Sequence, residues 1–121
     1  MSDKFDEAPD IVANYRVLDM NDVTVTITVG SGQFGTVGIR LAGTKVAAGE
    51  GRLHVNLGLG KDVRGKMLEI LTVVQDVNPM TNRTEVTHVL TGGAAAATFP
   101  SEFIATRNGG VVFHFVQLTL T

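Results

Sequence analysis

The chain of 121 residues has no cysteine and no tryptophan, one tyrosine, and three residues each of histidine, serine and proline. Without cysteine there is no disulfide framework, no thiolate metal site and no cysteine nucleophile. The three serines, Ser2, Ser31 and Ser101, lie outside any Gly-x-Ser-x-Gly setting, so the sequence offers no serine nucleophile elbow. Charged residues make up 18%, below the usual quarter, and the net charge is −2 with a pI near 5.8. Lysine and arginine occur without a basic cluster, so no nucleic-acid partner and no anionic membrane surface are expected. No apolar run approaches the roughly 20 residues of a transmembrane helix, and the acidic N-terminus lacks the apolar core of a secretory signal. A cytoplasmic protein is the expectation, although signal-independent export would leave the same sequence.

What the chain does have is threonine, glycine and β-branched residues, with 44% hydrophobic residues overall. Thr and Gly with few charges favour strands and tight turns over exposed helices, whose wet faces need Glu, Lys and Arg. The cleanest segment is Val23–Val29, where Val23, Val25, Ile27 and Val29 alternate with Thr24, Thr26 and Thr28, the period of a half-buried strand. Arg52–Gly58 alternates too, with Leu53, Val55 and Leu57 inward and Arg52, His54 and Asn56 outward. Met67–Val77 and Val111–Thr121 differ: both are apolar on both faces. Turn signals recur about every 8 to 12 residues, the spacing of a sandwich or small barrel. The expectation is an all-β antiparallel β-sandwich of about 7–9 strands, jelly-roll or immunoglobulin-like, with a small barrel as the alternative. Residues 1–10 read as a flexible, acidic arm and residues 11–121 as a single domain.

Three local readings follow. Met67–Val77 and Arg83–Leu90, separated by the turn Asn78-Pro79-Met80-Thr81-Asn82, read as a β-hairpin in the middle of the sheets. Gly30-Ser-Gly-Gln-Phe-Gly35 superficially resembles a phosphate-binding loop, but no Lys-Ser/Thr and no helix follow it, so it reads as a flexible hairpin loop. Gly60–Gly65 reads as a mobile charged loop, and Ala94–Ala97 as a short helix or a connection between sheets.

The residues able to carry chemistry are sparse. His54, His88 and His114 fall mid-strand with no His-x-His spacing, so no metal and no cofactor are expected. Glu69 and Glu85, placed on neighbouring strands by the hairpin reading, are the one carboxylate pair, and a small sandwich offers little cleft for them. Asp76, Asn78 and Asn82 lack the density of a calcium loop and are expected to hydrogen-bond their own turn.

The leading expectation is therefore not an enzyme. It is a structural or assembly component acting through protein–protein contacts, self-associating as a homo-oligomer or binding another protein. The interface is expected at Met67, Leu71, Val73, Phe113 and Phe115, because a strand apolar on both faces needs a covering element or a partner. The alternative is a small-ligand or carbohydrate-binding module using loops around Phe34, Lys61-Asp62 and Asn78–Asn82. Its binding residues would be Tyr15, Phe34, Asp62, Asp76, Asn78 and Asn82, with Tyr15 or Phe34 as the aromatic platform.

Overall fold

Alternation becomes layering in the computed structural model, which describes residues 5–121. The strands are β1 (Phe5–Glu7), β2 (Ile11–Tyr15), β3 (Asp22–Val29), β4 (Phe34–Leu41), β5 (Thr44–Glu50) and β6 (Arg52–Leu59). A one-turn helix, α1 (Gly60–Val63), leads to β7 (Met67–Gln75), β8 (Arg83–Thr91), β9 (Ala97–Ile104) and β10 (Val111–Leu120). They form an all-β sandwich. One sheet is six-stranded in the order β1-β10-β7-β4-β5, with β2 also on β10, and the other is four-stranded in the order β6-β3-β8-β9. All pairings are antiparallel except β1 and β2, which lie parallel to β10 as two halves of one edge. No helix among the described residues is long and apolar enough to cross a membrane.

The core is where the inward faces meet. Val23, Val25 and Ile27 of β3, with Val86 and Leu90 of β8, pack toward Ile39, Leu68, Ile70, Val116, Leu118 and Leu120 of the larger sheet. All are fully buried. Each such side chain contributes about 1.5–3 kcal/mol relative to leaving it in water.

The strand-pairing reading of 67–90 needs correcting. β7 lies between β4 and β10 in one sheet, while β8 lies between β3 and β9 in the other. The two arms form an arch across the core, not a hairpin. Both carry a fully buried row (Leu68, Ile70, Thr72, Val74 and Thr84, Val86, His88, Leu90), and these rows face each other across the layer. Residues 76–82 supply the length to bridge sheets about 10 Å apart. Glu69 and Glu85 consequently belong to different sheets, and the carboxylate pair does not exist.

The loop between β3 and β4 is likewise an ordered arch. Gly30 to Gln33 make a tight turn, Gln33 N–H donating to Gly30 O at 3.2 Å, with Ser31 and Gly32 at φ 59° and 69°. Its anchor is Gln33, buried between the two arches. Gln33 Oε1 accepts from the N–H groups of Val77 and Asn78 at 2.7 and 2.8 Å. Its Nε2 faces Asp76 Oδ1, Thr81 O and Arg83 O at 2.9–3.1 Å.

Other segments read as loose are also structured. α1 replaces the mobile loop: Val63 is buried, and Arg64 pairs with Asp19 and donates to Val17 O. The alanine run enters β9 rather than a helix. Of the segment read as an arm, residues 1–4 lie outside the described residues. Phe5–Glu7 form β1, and Asp6 accepts from Thr106 N–H and Oγ1 at 2.9–3.0 Å.

Candidate functional site

Strand pairing lays the outer face of the six-stranded sheet out as a grid, because directly paired residues share a row. One row is Phe113, Val73, Thr36 and Glu50 across β10, β7, β4 and β5. The next is Phe115, Leu71, Gly38 and Ala48, followed by Gln117, Glu69, Arg40 and Lys45. Met67 faces out beside Thr119 at the end of β7. All five residues expected at an interface, Met67, Leu71, Val73, Phe113 and Phe115, are thus brought onto one face. Phe5 extends it by stacking on Phe113, ring centroids 4.5 Å apart, and Val12, 70% exposed, adds the next edge residue. Leu71 stands proud at 41% exposure.

Gly38 breaks the relief of this face. It sits mid-strand with no positive φ, so the backbone does not require glycine, and a Cβ added there would meet nothing within 4 Å. The missing side chain leaves a groove of about 430 Å³ between Leu71 and Phe115 on one side and Ala48 on the other, with Arg40, Lys45 and Glu69 at its rim. No sequence signal singles out Gly38 among the 14 glycines.

The alternative ligand residues do not assemble into one site. Tyr15 is 4% exposed, its hydroxyl donating to Ala95 O at 2.7 Å and accepting from Gly93 N–H at 2.9 Å. It presents no ring face to solvent and is not a platform. Asp62 lies on α1, which precedes the Met67 end of β7, whereas Phe34 pairs with Gln75 at the opposite end. Phe34 is exposed. Asp76, Asn78 and Asn82 do converge, with Asn108, around a depression of about 240 Å³. Asp76 is buried and accepts from Gln33, while Asn78 donates to Ser31 O at 2.9 Å and accepts from Met80 N–H at 3.0 Å. These side chains hold the arches.

The histidines separate by environment. His54 lies on the outer face of the four-stranded sheet, its Nδ1 2.6 Å from Thr26 Oγ1. His88 and His114 are fully buried between the sheets. Thr84 donates its single hydroxyl proton to Phe103 O at 3.0 Å, so it must accept from His114 Nε2, 2.8 Å away. His114 Nδ1 then accepts from Ser101 Oγ at 2.7 Å. His88 Nδ1 faces Phe99 O at 2.8 Å and donates to it. This leaves His88 Nε2 an acceptor without a partner among the described residues, and the Thr72 hydroxyl is likewise unpaired there. Burial pushes the His114 pKa down to about 4, with neighbouring His88 adding to the shift. Burial also lowers that of His88, against the opposing hydrogen bond to Phe99. Both are neutral at pH 7, hydrogen-bonded to hydroxyls and carbonyls rather than to carboxylates. Among the described residues no group of three or more His, Cys, Asp or Glu is placed to hold a metal ion.

Comparison with known protein families, curated proteins and solved structures returns no match for this chain.

Proposed function

We propose that this protein is a non-enzymatic assembly component, working in the cytoplasm, that associates with copies of itself through the outer face of its six-stranded sheet. The observation that carries this reading is the apolar surface formed by exposed Phe5, Val12 and Leu71 with half-buried Val73, Phe113 and Phe115, on a domain that has a separate buried core between its sheets. Patches of this kind on a soluble fold are interaction surfaces, and aromatic residues are enriched at them. The same rows hold no carboxylate pair, no histidine and no serine.

The test is the solution mass by light scattering behind size exclusion over a wide concentration range. A mass of two or more protomers that falls on dilution supports the reading. A monomer at every concentration removes self-association. The alternative, a small-ligand or sugar module, rests on the depression beside Asn78, Asn82 and Asn108 with Phe34 at the same end of the sandwich. A rise in thermal midpoint with glycans, absent in a Phe34→Ala variant, would favour it.

A further inference from the structure

Resting on that reading, we propose that two copies pair these faces about a two-fold axis running parallel to the strands, between β4 and β7, with Leu71 of each copy seated over Gly38 of the other. Rotation about such an axis keeps every residue in its row and exchanges β4 with β7, and β10 with β5. Because Leu71 and Gly38 are direct partners in register, the most protruding aliphatic side chain of the central strands falls over the one position where a side chain is missing. Phe115 then covers the partner copy's Ala48, its counterpart on the outer strand. Isologous interfaces require this self-complementarity, the same patch supplying both knob and hole.

Charge selects this axis over its competitors. Glu69 pairs in register with Arg40 and forms no salt bridge among the described residues, so the exchange of β4 and β7 sets each Glu69 against an Arg40 of the other copy. An axis running along β7 would seat Phe115 over Gly38 but would oppose Glu69 to Glu69, and like charges across an interface are a strong penalty. An axis perpendicular to the strands through the Leu71 row would oppose Gly38 to Gly38 and leave an empty hole. Of these three axes, only the one between β4 and β7 both fills the groove and sets Glu69 against Arg40; it also places Lys45 over Gln117 and Glu50 over Phe113.

Four strands by four rows give a projected contact of roughly 500 Å² per copy, just under the range of about 600–1,000 Å² per partner in specific stable complexes. The dimer is therefore expected to exchange with monomer at micromolar concentrations rather than to be permanent.

Sedimentation equilibrium on the intact chain tests the arrangement. Gly38→Leu fills the hole and should weaken dimerisation at least tenfold without lowering the thermal midpoint, since a Cβ added there meets nothing within 4 Å and the rest of the side chain enters the open groove beside Leu71 and Ala48. Leu71→Ala should weaken it as well, and the double variant G38L/L71A, which moves the knob to the other strand, should regain most of the loss. Independently, Glu69→Arg should weaken the dimer, and E69R/R40E should restore it, which keeps the test open should G38L fold poorly. Wild-type dimer with all three single variants unaffected overturns this axis and leaves self-association standing. Single losses without rescue in either swap overturn the pairing of Leu71 with Gly38 and of Glu69 with Arg40. A wild-type monomer throughout overturns both this proposal and the reading beneath it.

Discussion

The two outer faces of this sandwich cover the same core and are built to opposite rules. On the four-stranded sheet, the outward residues of β3 are Thr24, Thr26 and Thr28, each paired in register with polar neighbours on β6. Thr24 and Thr91 join hydroxyl to hydroxyl, Thr26 meets His54, and Arg83 bridges Glu85 and Glu102. These polar side chains meet one another across strands, although Arg83 Nε has no partner among the described residues and Ile104 stands exposed beside Arg83. On the six-stranded sheet the corresponding positions are Phe113, Val73, Phe115 and Leu71, interrupted by a glycine. A face whose hydrogen bonds close among its own strands makes no demand on a partner, whereas exposed aromatic surface does. On the proposed reading, the six-stranded face is the contact surface and the four-stranded face is not.

Three experiments would break or sharpen that contrast. The largest effect is expected inside the sandwich, where both faces share the buried pair His88 and His114. Both folded-state pKa values lie below the ordinary 6.5, so at pH well above that value both imidazoles are neutral in the folded and the unfolded chain alike. As pH falls below 6.5 the unfolded chain takes up protons that the folded one refuses, and stability is lost progressively down to about pH 4, where His114 itself protonates. The span from 6.5 to about 4 corresponds to about 3 kcal/mol at most from His114. Urea midpoints at pH 7 and pH 4.5 should show the decline. Equal midpoints would mean that the imidazoles are not held neutral by burial.

A smaller effect separates the faces directly. Phe115→Asp should weaken self-association by an amount typical of an interface anchor, about 2 kcal/mol or roughly thirtyfold. Thr28→Asp on the opposite face should leave it unchanged. Equal losses from both would erase the contrast. The smallest effect tests the internal closure of the polar face. Arg83→Met leaves Glu85 directly opposite Glu102 and should cost about 0.5–1 kcal/mol, more at low salt than at high. A thermal midpoint that does not respond to salt in this variant would show that Arg83 does not hold the two carboxylates.

Much of this was legible in the sequence, but unevenly. Period-two alternation correctly separated Val23, Val25 and Ile27 from their threonines, and two-sided apolarity marked Met67–Val77 and Val111–Thr121 as the strands with two covered or coverable faces. Alternation reports which way a side chain points, not which strand lies beside it. Hence β7 and β8 read as hairpin neighbours when they face each other across the core. Asn78-Pro79 signals a change of direction equally well for either connection, and the residue that decides, Gln33, is 43 positions away from its partner Asp76. Tyr15 shows the same limit. Alone in composition it suggests a binding platform, and only its contacts with Gly93 and Ala95 reveal a structural post. The groove at Gly38 carried no signal, because an absent side chain looks the same in a sequence wherever glycine stands.

The arches also govern how the chain comes together in time. From β2 onward every connection crosses between layers except those joining β4 to β5 and β8 to β9. Neighbours within each sheet are therefore remote in sequence, and β10 stands between β7 and the parallel edge formed by β1 and β2. During vectorial synthesis the first strands have nothing to pair with until the last has emerged, and β7 presents one unpaired side throughout that interval. Folding is expected to be slow, in the millisecond-to-second range of sandwiches dominated by non-local pairing. Until β10 arrives, the nascent chain leaves β1 and β2 without a partner strand and one side of apolar β7 uncovered.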